Sequence, residues 1–419
     1  MFCWVVSHAY HDPTTSKVCA GWGSKRLGAD CFAAMRREMM ADGVVLVDRP
    51  ASPHRQALFV SHPVFRRPAF GNSHPLSIMR HAAVLDLCNA MGWLDPALIR
   101  QATLPDRGTL GRFHSPDYLE ALENSASMMA ATSEVRARWN LGTMECPLFD
   151  GLWDRARASV GGSILAAELA LEGYLAFHPA GGTHHGRRDR ASGFCYFNDP
   201  VFAVLRLLDA GLERVLYFDL DAHHGDGVEE AFALDERVTL VSIHEEGRWP
   251  GTGQIGGCSG RLLNLPVPAR INDDEFLLII RELCRRKLCS LRPEVVVVTC
   301  GADALKGDPL SSMEVSNGAL WAATEMAISL SERAVVLGGG GYNPWTTARL
   351  WAGLWGRLSG QHMQPQLPVA ARRILDGLSC DLVDEEDHDP AWFSSIVDPS
   401  NSGPIRMQIH RLIDQVLPG

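Results

Sequence analysis

Nine residues carry the densest chemistry in the sequence: Asp219-Leu220-Asp221-Ala222-His223-His224-Gly225-Asp226-Gly227. They follow Arg214-Val215-Leu216-Tyr217-Phe218, a short apolar run rich in β-formers that reads as a buried strand. Asp221 and His223 stand two apart, so on extended backbone both side chains leave the same face. A carboxylate and an imidazole converging in that way can grip one cation. Gly225 and Gly227 then allow a tight turn. A polar turn after a buried strand is the plainer alternative. It would account for a single Asp or His, but the density of ligand-type side chains here favours metal binding.

Asp303 is a third ligand candidate. It stands just past the Val-rich run Glu294 to Thr299, where a helix N-cap explains it equally well. Two oxygens and one nitrogen with an open position suit Zn²⁺ or another divalent transition metal holding a water. Such a metal lowers the pKa of that water to about 7 and polarises a carbonyl. His184-His185 offers two adjacent imidazoles, one of which could serve as general base. Asp219 and Asp226 could hold those rings in a chosen tautomer. The alternative is a solvent-exposed His pair in a loop.

Gly338 to Gly341 precede Tyr342. The strip lacks the Lys-Ser/Thr of a phosphate loop and the spacing of a dinucleotide fingerprint. It reads better as a flexible segment that lets the Tyr342 hydroxyl donate to a developing oxyanion; a turn with a packed tyrosine is the alternative. Together these parts make a metal-assisted amide hydrolase that needs no Ser or Cys nucleophile. Cys195 is read as buried.

The elements that must position these groups follow from periodicity. Strand-like runs lie at Arg214–Phe218, Val238–Ile243, Glu294–Thr299 and Ala334–Leu337, each ending in polar or glycine-rich chemistry. Helical stretches are expected at about 152–177, 200–211, 273–290 and 315–332. The alternation predicts an α/β fold: a central, mostly parallel sheet with helices on both faces and ligands at the strands' carboxyl ends. Upstream, a helix end is expected at 36–40, strands at 43–47 and 57–60, and helices at about 76–91 and 117–130. Residues 136–147, 179–199 and 381–405 read as loops, and 405–416 as a terminal helix. No internal repeat or boundary stands out. The expectation is a single domain over 1–419, with a motif-bearing core of about 70–360 and a C-terminal extension of about 361–419.

Composition bounds the function class. With 46% hydrophobic and 21% charged residues the chain can bury a sizeable core. A net charge of -10 argues against general nucleic-acid binding. Eleven cysteines with no CxxC suit reduced thiols in a reducing compartment. The apolar run Phe2–Val6 is too short for a signal peptide, and no stretch approaches a membrane span. A cytoplasmic location is expected.

Taken together, the motifs resemble the zinc-dependent histone deacetylase family, with its bacterial acetoin-utilisation and acetylpolyamine amidohydrolase relatives. The matching text is His184-His185, Gly193 to Asp199, Asp219 to Gly227, Pro250 to Gly253, Gly301 to Asp303, Gly307 to Pro309 and Gly338 to Asn343. The resemblance covers roughly residues 70–360 and implies an arginase/deacetylase-type fold. It implies zinc (or Fe²⁺) on Asp221, His223 and Asp303, and His185 as the proton-transfer residue with His184 as its electrostatic partner. Asp219 would support His184 and Asp226 would support His185, while Tyr342 would polarise the acyl carbonyl. The resemblance further implies potassium near the zinc, on Asp219, Asp221 and His223 with the backbone around Ser242. Arg80 would line an internal channel behind the metal.

Two departures stand out. Glu145-Cys146-Pro147 replaces the family's Asp-Cys-Pro, whose carboxylate grips substrate backbone. Trp249 replaces the usual Phe opposite Phe194, beside Gly193. Leu310 stands where one polyamine-selective relative carries Glu, which mildly disfavours acetylpolyamines. The expected substrate is an acyl-lysine protein or peptide, with a small acyl-amine as the alternative. A non-catalytic acyl-lysine binder is disfavoured because ligands, His pair and Tyr342 are all intact. A homo-oligomer is compatible with either substrate: dimerisation often helps form the narrow channel that suits polyamines, and an open rim suits protein.

Overall fold

The computed structural model describes residues 55–71, 74–256, 260–364 and 366–418. The helix end expected at 36–40 and the strand at 43–47 lie outside the described residues. Eight strands form one sheet: β1 (Ala57–Ser61), β2 (Ile99–Gln101), β3 (Leu175–His178), β4 (Val215–Asp219), β5 (Val238–Glu245), β6 (Leu262–Val267), β7 (Val295–Thr299) and β8 (Ala334–Leu337). Their order is β2-β1-β3-β8-β7-β4-β5-β6, and every neighbouring pair is parallel.

The central strands are continuous β-branched or apolar runs. β7 is Val-Val-Val-Val-Thr and wholly buried, as expected of a parallel strand covered on both faces. Side-chain alternation sorts the two faces. Leu58, Val60 and Ala176 join Ala166, Ala170, Val204 and Leu207, which come from the helices Leu152–Leu171 and Asp199–Asp209. Phe59 and Phe177 point the other way, 5.2 Å and 6.4 Å from the Trp355 ring of the helix Pro344–Leu358.

The stretch 152–177, expected as one helix, is a helix and a strand. The helix ends at Leu171, and Gly173 takes φ +95°. Its N–H reaches Ala170 O at 3.1 Å and Tyr174 N reaches Leu169 O at 3.0 Å, the paired bonds of a Schellman cap. The chain then enters β3. Residues 136–147 were expected as loop, yet a helix runs over Ser133–Trp139, with the Thr132 side chain accepting from Val135 N. The edge strands β2 and β6 were not anticipated. The terminal helix forms over Met407–Val416. No described helix is long and apolar enough to cross a membrane.

Because the sheet is parallel, the segments leaving β3, β4, β7 and β8 emerge on the same side. These four strands are contiguous in the sheet, so their exits converge.

Candidate active site

β4 ends at Asp219, and the next turn presents Asp221 and His223. The exit from β7 brings Asp303 alongside, in the short turn Ala302–Ala304. The ligand-type atoms of Asp221, His223 and Asp303 lie within 4.8 Å of one another, and all three residues are buried. His223 Nδ1 is 2.9 Å from Asp303 Oδ2 and 3.3 Å from Asp221 Oδ1. Backbone amides hold the carboxylates: Ala222 N donates to Asp303 Oδ1 at 2.9 Å, and Gly340 N to Asp221 Oδ2 at 2.6 Å. Asp303 therefore belongs to the cluster and caps no helix.

The electrostatics favour positive charge at this point. Burial, and then the Asp221 charge, push Asp303 up to about 6. Against burial, the Asp221 and Asp303 carboxylates raise His223 to about 10. Two buried carboxylates this close are stabilised by a proton held within the cluster or by a cation shared by all three residues. The donor set of two oxygens and one nitrogen fits a divalent transition metal. The backbone is shaped to it as well. A Cβ at Gly340 would overlap the Asp303 carboxylate, and one at Gly301 the Asp221 carboxylate, so only glycine lets these strands' exits close on the ligands.

The His pair sits on the exit from β3 and is buried. His184 Nδ1 is 2.7 Å from Asp219 Oδ2, and His185 Nδ1 is 2.8 Å from Asp226 Oδ1. The two rings diverge in character. Burial opposes charge on His184, but Asp219 and then Asp221 raise it to about 9. Burial and the neighbouring His184 lower His185 to about 3, although Asp226 pulls the other way. His185 is thus a neutral imidazole whose Nδ1 donates to Asp226, leaving its lone pair on Nε2. Asp226 is itself held by Arg187, which also pairs with Glu230.

Tyr342 stands at the end of the glycine strip, its backbone N donating to Asp308 Oδ2 at 2.7 Å. Burial first, then Asp303 and Asp221, hold the phenol well above its ordinary pKa, so it remains a donor. Its hydroxyl has no partner among the described residues. The mouth outside is a cavity of ≈ 630 Å³ whose wall includes Phe194, Trp249 and Leu310. Trp249 packs 4.6 Å from the His185 ring, and Phe194 5.8 Å from the Tyr342 ring. Leu310 O accepts from Arg248 Nη1 at 2.9 Å, which ties the two sides of the rim together.

Glu145 also lines the mouth, but its carboxylate is occupied. Oε1 accepts from Gly193 N at 2.6 Å and Oε2 from Asn140 Nδ2 at 2.9 Å, so it anchors the loop that carries Phe194. Ser242 lies directly across from Asp219 in the β4–β5 register, next to the turn that carries Asp221 and His223. Arg80 faces an inner cavity, with Nη1 donating to Gly341 O at 3.0 Å and the guanidinium over Trp351.

Sequence reasoning passed over several supporting groups. The Tyr217 hydroxyl donates to Asp219 Oδ2 at 2.9 Å, from inside what reads as an ordinary strand. Arg187 and Asn140 act through Asp226 and Glu145. His74 packs 4.5 Å from the Phe194 ring. Only Tyr217 carried a local signal: its alternation places it on the same face as Asp219.

Comparisons with known proteins agree with this geometry. A family model described as "Histone deacetylase domain" matches residues 74–358. Histone deacetylase 6 of Arabidopsis thaliana is 38% identical over 320 residues, covering 74% of this chain and 68% of the relative. Histone deacetylase 3 of Oryza sativa subsp. japonica is 39% identical over 311 residues, 71% of this chain and 60% of the relative. The acetoin utilization protein AcuC of Bacillus subtilis is 33% identical over 330 residues, 75% of this chain and 85% of that protein. The chain thus spans about three fifths of the rice relative's length. The crystal structure of an HDAC homologue from Aquifex aeolicus superposes with a TM-score of 0.82 at 30% identity, covering 86% of this chain and all of that one. The chain belongs to the histone deacetylase domain family, on an arginase/deacetylase-like α/β fold.

Proposed function

We propose that the chain is a zinc-dependent amide hydrolase that removes acyl groups from lysine side chains. Family membership supports a deacetylase activity. What carries the finer reading is one convergence. A buried Asp-His-Asp cluster, a neutral imidazole and an unpartnered phenol meet at the inner end of a mouth walled by Phe194 and Trp249. Zn²⁺ on Asp221, His223 and Asp303 would supply Lewis acidity toward an acyl carbonyl and a water reactive near neutral pH.

The chain's own residues do the rest. Phe194 and Trp249 form an apolar sleeve suited to a methylene stem. His185 takes a proton at Nε2, with Asp226 fixing the tautomer through Nδ1. Burial, and then the His184 ring raised toward its cation by Asp219 and Asp221, keep His185 neutral at rest. Tyr342 donates to the carbonyl oxygen as negative charge develops there. The amide C–N bond breaks, and the departing amine collects the proton.

The test is a matched panel of acetyl-lysine peptide, longer acyl-lysine peptides and acetylputrescine, each with and without a chelator. Peptide cleavage that chelation abolishes and added zinc restores is the expected result. Cleavage of acetylputrescine alone would replace lysine with a small acyl-amine as substrate. Peptide cleavage indifferent to chelation would remove the metal from the mechanism.

A further inference from the structure

The site opens in two directions. The mouth and a second, inner cavity share His185, Gly193, Phe194 and Tyr342. The inner cavity, of ≈ 90 Å³, runs past Gly339 and Gly340 to Arg80, His81 and Arg155. A water occupies about 30 Å³ in the liquid, so the cavity has room for about three waters, or for somewhat more atoms when they are covalently joined. That is roughly the room for the four to six heavy atoms that a malonyl, succinyl or glutaryl group carries beyond its amide carbonyl.

The charge around this space is unbalanced. Arg80 makes one hydrogen bond, to Gly341 O at 3.0 Å. Arg155 Nη1 donates to the carbonyls of Val64 and Arg67 at 3.1 Å and 3.2 Å. Arg155 Nη2 donates to His81 Nδ1 at 3.4 Å. That bond puts the His81 proton on Nε2, which is buried and makes no well-formed hydrogen bond, with the Pro179 backbone as a neighbour. Among the described residues, neither arginine is paired with a carboxylate. Asp221 and Asp303 act on Arg80 only through space, and both carboxylates are turned toward the cluster they form with His223. Burial first, and then Arg80, lower Arg155 to about 10, so each guanidinium makes the other harder to keep. Half-buried cations with no carboxylate partner, beside a buried imidazole N–H, are costly unless an anion completes them.

Tyr342 lines both cavities, so an acyl group whose carbonyl lies at its hydroxyl can extend its far end into the inner one. A neutral chain would press methylene groups against donors it cannot satisfy, whereas a terminal carboxylate satisfies them. We propose that the chamber binds the terminal carboxylate of a short dicarboxylic acyl group, which makes malonyl-, succinyl- and glutaryl-lysine a substrate class of this site. The inference rests on the deacylase reading above. Hydrolysis balances in the ordinary way. Water adds to the amide carbonyl, the C–N bond breaks, the lysine amine leaves with a proton and a dicarboxylate is released.

The experiment compares acetyl-, butyryl- and succinyl-lysine on one peptide; the last two share a four-carbon chain and differ in the carboxylate. Expected is a kcat/KM at least tenfold higher for succinyl than for butyryl. Arg155→Met should cut that ratio at least tenfold, and Arg155→Lys, which keeps the charge, should cut it less. Acetyl hydrolysis by each variant reports on folding. Binding supplies a readout independent of turnover: Tyr342→Phe protein should bind the intact succinyl peptide at least tenfold more tightly than the butyryl peptide. If acetyl and butyryl peptides are cleaved and succinyl is no better than butyryl, the chamber proposal falls and the deacylase reading stands. A succinyl preference that survives Arg155→Met unchanged also overturns it. If no acyl-lysine peptide is cleaved, the deacylase reading falls and this proposal with it.

Discussion

Replacing Tyr342 with Phe isolates one oxygen atom. The ring packs edge-on against Phe194 and His223, at 5.8 Å and 6.4 Å, and Phe keeps both contacts. The backbone bond from Tyr342 N to Asp308 is unaffected. The hydroxyl has no partner among the described residues, so its removal orphans no buried group there. Stability should therefore change by less than about 1 kcal/mol. The effect on chemistry is another matter. The phenol is held protonated by burial and by Asp303 and Asp221, so it can donate throughout the working pH range. Loss of one oxyanion donor costs about 10²–10³ in kcat, or about 2.7–4 kcal/mol. Because the bond strengthens as charge develops, kcat and kcat/KM should fall together with KM little changed. The assay is initial rates on an acetyl-lysine peptide, beside a thermal melt and a measurement of bound zinc. A variant that keeps its zinc and its melting temperature, yet loses less than tenfold in kcat, refutes the donor role. A loss confined to KM would refute it too, by making Tyr342 a ground-state contact.

Three further perturbations test the supporting structure. Glu145→Ala leaves Gly193 N–H without its acceptor and the Asn140 amide with only the Ala191 carbonyl and the Cys146 sulfur. It should cost about 1–3 kcal/mol in urea denaturation and raise KM as the Phe194 loop loosens; unchanged stability and KM would show the anchor to be idle. Gly340→Ala drives a methyl into the Asp303 carboxylate, so zinc content should fall well below one per chain, and a fully loaded variant would contradict the close approach. Glu275 joins the C-terminal extension to the sheet-covering helix Asp273–Leu283, accepting from Arg406 N at 2.8 Å and Arg406 Nη2 at 2.6 Å. Burial alone would raise its pKa, but Arg406 and the Asn272 N–H lower it below the ordinary value of about 4.3. The unfolded state then binds more protons between the two values. This contribution to stability is present above about pH 4.3 and is lost as pH falls through the depressed value. Glu275→Gln should flatten the loss of stability between about pH 5 and about pH 3 in denaturant titrations; a slope equal to wild type would remove Glu275 from the linkage.

The fold was legible where local rules and global architecture agree. The Val-rich run of β7 and the apolar run of β4 are strands in any reading, because continuous β-branched and aromatic sequence fits a sheet covered on both faces. The ligand cluster was legible for a related reason. Parallel sheets bring strand exits to one side, so a polar or glycine-rich stretch after each of several strands has to converge with the others. The misses came where one local cue was outvoted. The Ala-rich pattern of 152–171 seemed to run on to Phe177, but Gly173 in the left-handed region closes the helix, and only tertiary pairing with β1 and β8 makes 175–178 a strand. The short helix at 133–139 has its Thr cap in plain view, but too few turns to show a period.

Glu145 and Arg155 show why site detail escapes a linear reading even when the site itself does not. Glu145 sits where a carboxylate was expected to grip substrate, and the text gives no sign that Gly193 and Asn140 have already taken both its oxygens. Arg155 is harder still. It lies in Asp154-Arg155-Ala156-Arg157, which on a helix looks like a solvated stripe. Arg157 behaves that way, bonding Asp154 at 3.2 Å and the Pro105 carbonyl at 2.8 Å. Two residues earlier the helix has turned by more than half a circle, and Arg155 reaches inward to His81. Two arginines of identical local character thus have opposite fates, decided by which side of the Leu152–Leu171 helix meets the inner cavity. Charge placed inward without a carboxylate of its own is a feature of the folded chain alone, which is why the inner chamber could not be read from the sequence.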